Sequence, residues 1–141
     1  PDIYGKEDYA ALCARIYAHA QSRGIAVECF QSNHEGAIID AIQEADTAFG
    51  GIVINPGAYA HYSYAIYDAL RCAPVPAVEV HISDINAREP FRAVSVTAPA
   101  CVRVITGHGL AGYLEAMDYL LQHTNDTAAA PTCGCTGEAL V

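Results

Sequence analysis

Glu79 and His81 stand two residues apart in "EVHIS". On a β-strand that spacing puts both side chains on one face. A carboxylate beside an imidazole fixes the ring and raises its pKa, which suits a general acid near neutral pH. Taken alone, the pair reads more simply as a satisfied strand-end histidine with a surface glutamate. Ile82 and Ser83 shift the balance, because the strand ends there. Their backbone N–H groups and the serine hydroxyl could form an anion-binding nest. Arg88 and Arg92, in "AREPFR", flank Pro90 in a charged loop. Arginine suits two-pronged carboxylate binding, although such loops are usually just solvated.

A second polar stretch, "NPGAYAHYS", follows the apolar run "GGIVI". Asn55 falls at a strand end, and Gly57 allows close backbone approach. His61 and Ser63 can hydrogen-bond, and Ser63 also suits a helix N-cap. Tyr59, Tyr62, Tyr64 and Tyr67 read first as packing or subunit contacts. Tyr4, in "PDIYG", is a lone loop tyrosine with no chemistry of its own to declare.

The elements that must position these groups alternate. "EDYAALCARIYAHAQSRG" has helical spacing and stops at Gly24. "IAVECFQS" reads as a strand. "NHEGAIIDAIQEA" reads as a helix with Asn33 as its cap. "GGIVI" reads as a strand buried on both faces, and a helix is expected from about Ser63 to Cys72. "VPAVEVHIS" and "ACVRVI" read as strands, and "LAGYLEAMDYLLQH" as the last helix. This alternation implies an open parallel sheet with helices on both faces. Ligands bind such sheets at the carboxyl ends of the strands. There "QSN", "NPGAYAHYS" and "EVHIS" would converge. Such a sheet normally opens on its central strand, whereas this sequence opens on a loop and a helix.

The 141 residues suit one domain, and no apolar run approaches the ~20 residues of a membrane span. A net charge of −9 argues against nucleic acid. It leaves room for a small anion held by a few arginines. Cys13, Cys29, Cys72 and Cys101 sit in apolar segments and read as buried free thiols. Cys133 and Cys135, in "CGC", make a weak metal motif within a small-residue stretch expected to be mobile. A reduced, cytoplasmic setting fits this cysteine usage. The single glycine of "NPGAY" argues against a phosphate loop and so against a flavodoxin-like nucleotide binder.

Together these segments resemble the type II 3-dehydroquinate dehydratases. That family carries N-P-G-A-[YF]-x-H-x-S-x-A-[IL]-x-D-A, E-V-H-[IL]-S-N, R-E-x-F-R and Q-S-N-x-E-G. Here the matching stretches read "NPGAYAHYSYAIYDA", "EVHISD", "REPFR" and "QSNHEG". The resemblance spans residues 1 to about 123 as one domain, with 124–141 left as a mobile tail. It implies a flavodoxin-like three-layer α/β fold with a parallel sheet. It also implies a homo-oligomer of trimers assembled into a dodecamer. The implied reaction is the dehydration of 3-dehydroquinate to 3-dehydroshikimate, an anti elimination through an enolate. It needs no cofactor, metal or Schiff base, and it serves both aromatic amino-acid synthesis and quinate breakdown.

The resemblance also implies roles. Tyr4 would be the base and His81 the acid, oriented by Glu79. Asn55, His61 and Arg92 would hold substrate hydroxyls, while Ile82 and Ser83 hold the carboxylate. Asp68 would reach a neighbouring subunit's site, and Arg88 would be structural.

Three features depart from the family pattern. The sequence begins at the proline of the family's R-x-P-x-x-Y-G lid motif, so neither the lid arginine nor the preceding strand L-N-G-P-N-L-N is matched. The first, central strand is therefore expected to be absent and the chain to be a fragment, with a strand from elsewhere between "ECF" and "GGIVI". Direct pairing of those two strands would contradict this. Asp84 replaces an asparagine and adds charge near the expected nest. Arg103 and His108 replace small and aromatic residues. An alternative is a catalytically impaired member that binds a shikimate-like ligand or serves only in assembly.

Overall fold

The computed structural model describes residues 9–127 and 137–140. The helices are α1 (Tyr9–Arg23), α2 (Glu35–Ala48), α3 (Tyr64–Cys72) and α4 (Ala111–Thr127). The strands are β1 (Ala26–Cys29), β2 (Gly51–Ile54), β3 (Ala77–His81), β4 (Arg103–Thr106) and β5 (Gly137–Leu140). All described pairings are parallel, in the order β1-β5-β2-β3-β4. The expected parallel α/β sheet is present.

The interior strands explain their sequences. β2 and β3 are buried at every position; β2 accordingly reads as an unbroken apolar run, whereas β3 carries Glu79 and His81 among its apolar residues. The pleat sends alternate residues to opposite layers. Val53, Val78 and Val80 pack with Leu12 and Ile16 of α1 and with Met117 and Leu120 of α4. Ile52, Ile54 and Ala77 pack with Ile38 and Ile42 of α2 and with Ile66 and Leu70 of α3. Gly51 lets α4 approach β2 closely, since a Cβ there would meet Leu120 Cδ1 at 3.1 Å. Each fully buried isoleucine or leucine contributes roughly 1.5–3 kcal/mol of transfer free energy.

Three expectations are corrected. The position between β1 and β2 is not open, and the two strands do not pair with each other. β5 lies between them, with Cys29 opposite Leu140 on one side and Ile52 opposite Ala139 on the other. The stretch expected to be a mobile tail therefore supplies an interior strand, and α4 runs on to Thr127. Backbone groups in the middle of a sheet need partners on both sides, which local sequence does not reveal.

Second, α2 is capped at His34 rather than Asn33, without a side-chain cap bond. The Asn33 side chain instead accepts from Gln31 Nε2 at 3.2 Å. Third, the thiols are less buried than expected. Cys13, Cys29 and Cys101 are half-buried, and Cys72 is exposed at the end of α3. Cys133 and Cys135 lie outside the described residues.

Candidate active site

β3 carries Glu79 and His81 to its carboxyl end on the same face, the α2/α3 side. The structure makes them a bonded pair, His81 Nε2 to Glu79 Oε2 at 2.9 Å. Glu79 is fully buried and His81 nearly so. A buried carboxylate needs donors. Besides His81, Ser95 Oγ donates to Oε2 at 2.8 Å and Thr97 Oγ1 donates to Oε1. Burial alone would push the Glu79 pKa up. The bonds from His81, Thr97 and Ser95, with the His81 charge, outweigh it and hold the carboxyl below its ordinary value. Because Nε2 is taken up by Glu79, Nδ1 is the nitrogen that His81 can offer to a ligand.

The turn after β2 brings the second group. Asn55 Oδ1 accepts from Gly57 N at 3.0 Å, which closes an Asx turn. Gly57 has φ +59°, the left-handed conformation that favours glycine. No atom of the described residues lies within 4 Å of a Cβ there, so the backbone conformation accounts for the glycine. Asn55 Nδ2 donates to Tyr113 Oη at 2.9 Å. Ser63 is the expected cap of α3, accepting from Ile66 N at 3.1 Å. His61 Nδ1 donates to the Val94 carbonyl at 2.7 Å, which leaves Nε2 as an acceptor. Its ring lies 6.4 Å from that of His81, nearly parallel, and edge-on to Phe91.

The loop after β3 brings the arginines. Arg92 Nε binds Glu89 Oε2 at 2.6 Å, and the guanidinium lies over the Phe91 ring. Arg88 Nε lies 3.9 Å from the same Glu89 oxygen, and its Nη1 reaches Ser83 Oγ at 3.5 Å. The Glu89 carboxyl is held below its ordinary pKa by its own backbone N–H and by Arg92. Asp84 accepts from Asn86 N at 3.0 Å and caps the short turn Ile85–Ala87. Its carboxylate thus has a local structural use.

Most of the expected residues meet at one cavity. Asn55, His61, His81, Ile82, Ser83, Arg88 and Arg92 all line a narrow cleft of about 30 Å³. That is room for about one water molecule. A larger cavity of about 670 Å³ shares Asn55, Gly57 and Ala58 with it and extends to Tyr9, Asn33, Tyr59 and Tyr113. Gln31, Ser32 and Asn33 also line the larger space, whereas the end of β3 lines only the narrow cleft; the turn after β2 borders both. Both histidines and both arginines line the narrow cleft. Asp68 is exposed on α3 and lines neither cavity. Tyr4 lies outside the described residues.

Ser95, Thr97, Glu89 and Tyr113 are the participants that the sequence reading missed. One signal was available: "VSVT" places two hydroxyls two residues apart, the spacing that reappears in "EVH".

A parallel α/β sheet whose strand ends gather a carboxylate–imidazole pair, a second histidine and two arginines brings together groups able to move a proton and groups able to hold an anion. Comparison with known proteins supplies the family. The chain belongs to the class II dehydroquinase family, whose model matches residues 1–121. It is 55% identical over 120 residues to a 3-dehydroquinate dehydratase of Lachnoclostridium phytofermentans, covering 84% of this chain and 83% of that one. It is 50% identical over 121 residues to one of Bacillus cereus strain AH187, covering 86% and 83%. The fold is similar to the crystal structure of the type II dehydroquinase of Butyrivibrio crossotus. There the TM-score is 0.84 at 56% identity, covering 85% of this chain and 84% of that one. The Propionibacterium acnes type II dehydroquinase gives a TM-score of 0.83 at 39% identity, covering 86% and 84%.

Proposed function

We propose that this chain is a hydro-lyase that dehydrates 3-dehydroquinate to 3-dehydroshikimate. The buried Glu79–His81 pair, opening on a cleft with His61 and Arg92, carries this reading. A base removes a C2 proton, and the C–H electron pair becomes an enolate on the neighbouring carbonyl. The enolate collapses, forms the C1–C2 double bond and expels the C1 hydroxyl. His81 Nδ1 gives that hydroxyl its proton, so it leaves as water.

Tyr4 is assigned as the base by its match to the family's lid tyrosine. A tyrosine has a free pKa near 10, so it needs a cation close by to act as tyrosinate. Asn55, His61 and Arg92 bind substrate hydroxyls, and Ile82 and Ser83 bind the carboxylate at the end of β3. For Asn55 this means exchanging the Tyr113 contact for one to the ligand. Asp68 serves a neighbouring subunit, a role that fits its exposure away from both cavities. The working form is then a homo-oligomer of trimers, in the cytoplasm, with no cofactor.

The test is appearance of enone absorbance from 3-dehydroquinate, with His81→Ala beside the unaltered protein. Loss of a positioned general acid should lower kcat by about 10²- to 10⁴-fold. Equal turnover by both proteins would overturn the assignment of His81. Tight ligand binding by the unaltered protein without turnover would favour the impaired-binder reading.

A further inference from the structure

One short segment bonds His61 directly and reaches His81 through Glu79, although none of its side chains lines the narrow cleft. The Val94 carbonyl accepts from His61 Nδ1 at 2.7 Å, and Val96 N donates to the Ala60 carbonyl at 2.7 Å. Between and beyond those backbone contacts, the Ser95 and Thr97 hydroxyls both turn to the Glu79 carboxylate. Thr97 is fully buried. Ser95 Oγ lies 3.2 Å from Thr97 Oγ1 and also accepts from Ala98 N at 3.1 Å. Each hydroxyl has one proton to give. The Ala98 N–H uses the acceptor side of Ser95 Oγ, which leaves its proton for Glu79.

We propose that Ser95 and Thr97 are positioning residues for the acid step, acting on His81 through Glu79. Their two donors occupy the carboxylate so that it stays ionised and in one rotamer. The second lone pair of Oε2 then meets His81 Nε2 and directs Nδ1 to the cleft. This rests on the dehydratase reading of the same site. The titratable groups facing Glu79 are His81 on its own strand and the Cys101 thiol. Cys101 is pushed up to about 12 by burial and by the Glu79 charge, so it stays neutral. Among the described residues, no cation other than His81 helps to hold Glu79 ionised. Without the hydroxyls, burial would act against the carboxylate with less opposition.

The experiment compares Thr97→Val, Ser95→Ala and Thr97→Ser with the unaltered protein, measuring kcat, KM, the pH profile of kcat and Tm. Removing one charge-assisted donor should lower kcat by about 10- to 100-fold. KM should stay within about threefold, because neither hydroxyl is placed against the substrate. The acidic limb of the kcat profile should move to higher pH, as Glu79 protonates more easily and releases His81. Thr97→Ser, which keeps the donor, should restore kcat and the limb. Folded Thr97→Val and Ser95→Ala proteins with unchanged kcat and pH profile would overturn the proposal, whatever their Tm. If Thr97→Val fails to fold, Ser95→Ala decides alone. A loss of kcat in His81→Ala but in neither hydroxyl variant would defeat this proposal and leave the dehydratase reading standing.

Discussion

The two sides of the narrow cleft are built differently. On the β3 side, Glu79 and His81 are buried, and each Glu79 oxygen already has a donor from the protein. On the arginine side, Arg88 and Arg92 are partly exposed and share one exposed carboxylate, Glu89. The first side is finished before any ligand arrives. The second is held by an exposed carboxylate, from which a ligand could displace Arg92. Preorganisation is thus placed where proton transfer needs a fixed geometry. The arginine side, partly exposed and paired at the surface, is freer to rearrange.

Glu79→Gln strikes the finished side and should have the larger effect. An amide keeps the size but turns one acceptor into a donor facing a hydroxyl that also donates. We expect kcat to fall by about 10²-fold or more, with about 1–3 kcal/mol of stability lost from the mismatched buried groups. The pH dependence of stability should change too. The folded Glu79 pKa is depressed, so its contribution is complete above its ordinary value of 4.5 and is lost as pH falls through the folded value. The variant should therefore be less stable at neutral pH and show a flatter acid limb in thermal unfolding. An unchanged acid limb would show that the pair is not as tightly held as its geometry implies.

Arg92→Ala strikes the replaceable side. Its cost should appear mainly in KM, raised by about 10- to 50-fold through loss of one charge-assisted contact, with a smaller change in kcat. Stability should change little, because the Arg92–Glu89 pair is a solvent-screened surface ion pair. Should kcat collapse while KM stays constant, the arginine side would serve the transition state just as His81 does. The contrast between the two sides would then fail.

Sequence revealed the finished side and much of the frame. Glu79 and His81 announce a shared face by their spacing, and "GGIVI" announces a strand covered on both sides. Ser63 was legible as a cap because capping is local in the chain. The spacing of Ser95 and Thr97 hinted at a shared face, but their partner Glu79 was not legible, because the contacts span 16 and 18 residues. Glu89 could be seen as a charge but not as a clamp, since only the folded loop turns it toward both arginines. β5 was hidden for another reason. "GEAL" has neither β-branched residues nor alternation, so its strand conformation follows from the pairing available between β1 and β2.

Glu89 also has a consequence for how a ligand arrives. The two arginines and this carboxylate sum to one positive charge, within a chain whose net charge is −9. Beyond the ~8 Å over which charges are felt in physiological salt, the cleft mouth does not stand out as a positive patch. An anionic substrate is therefore not drawn in from a distance, and selection happens on contact. Salt should then leave the association rate level or raise it slightly as it screens the protein's own negative field. A steep fall of kcat/KM with ionic strength would instead mean that the arginines act at long range despite Glu89.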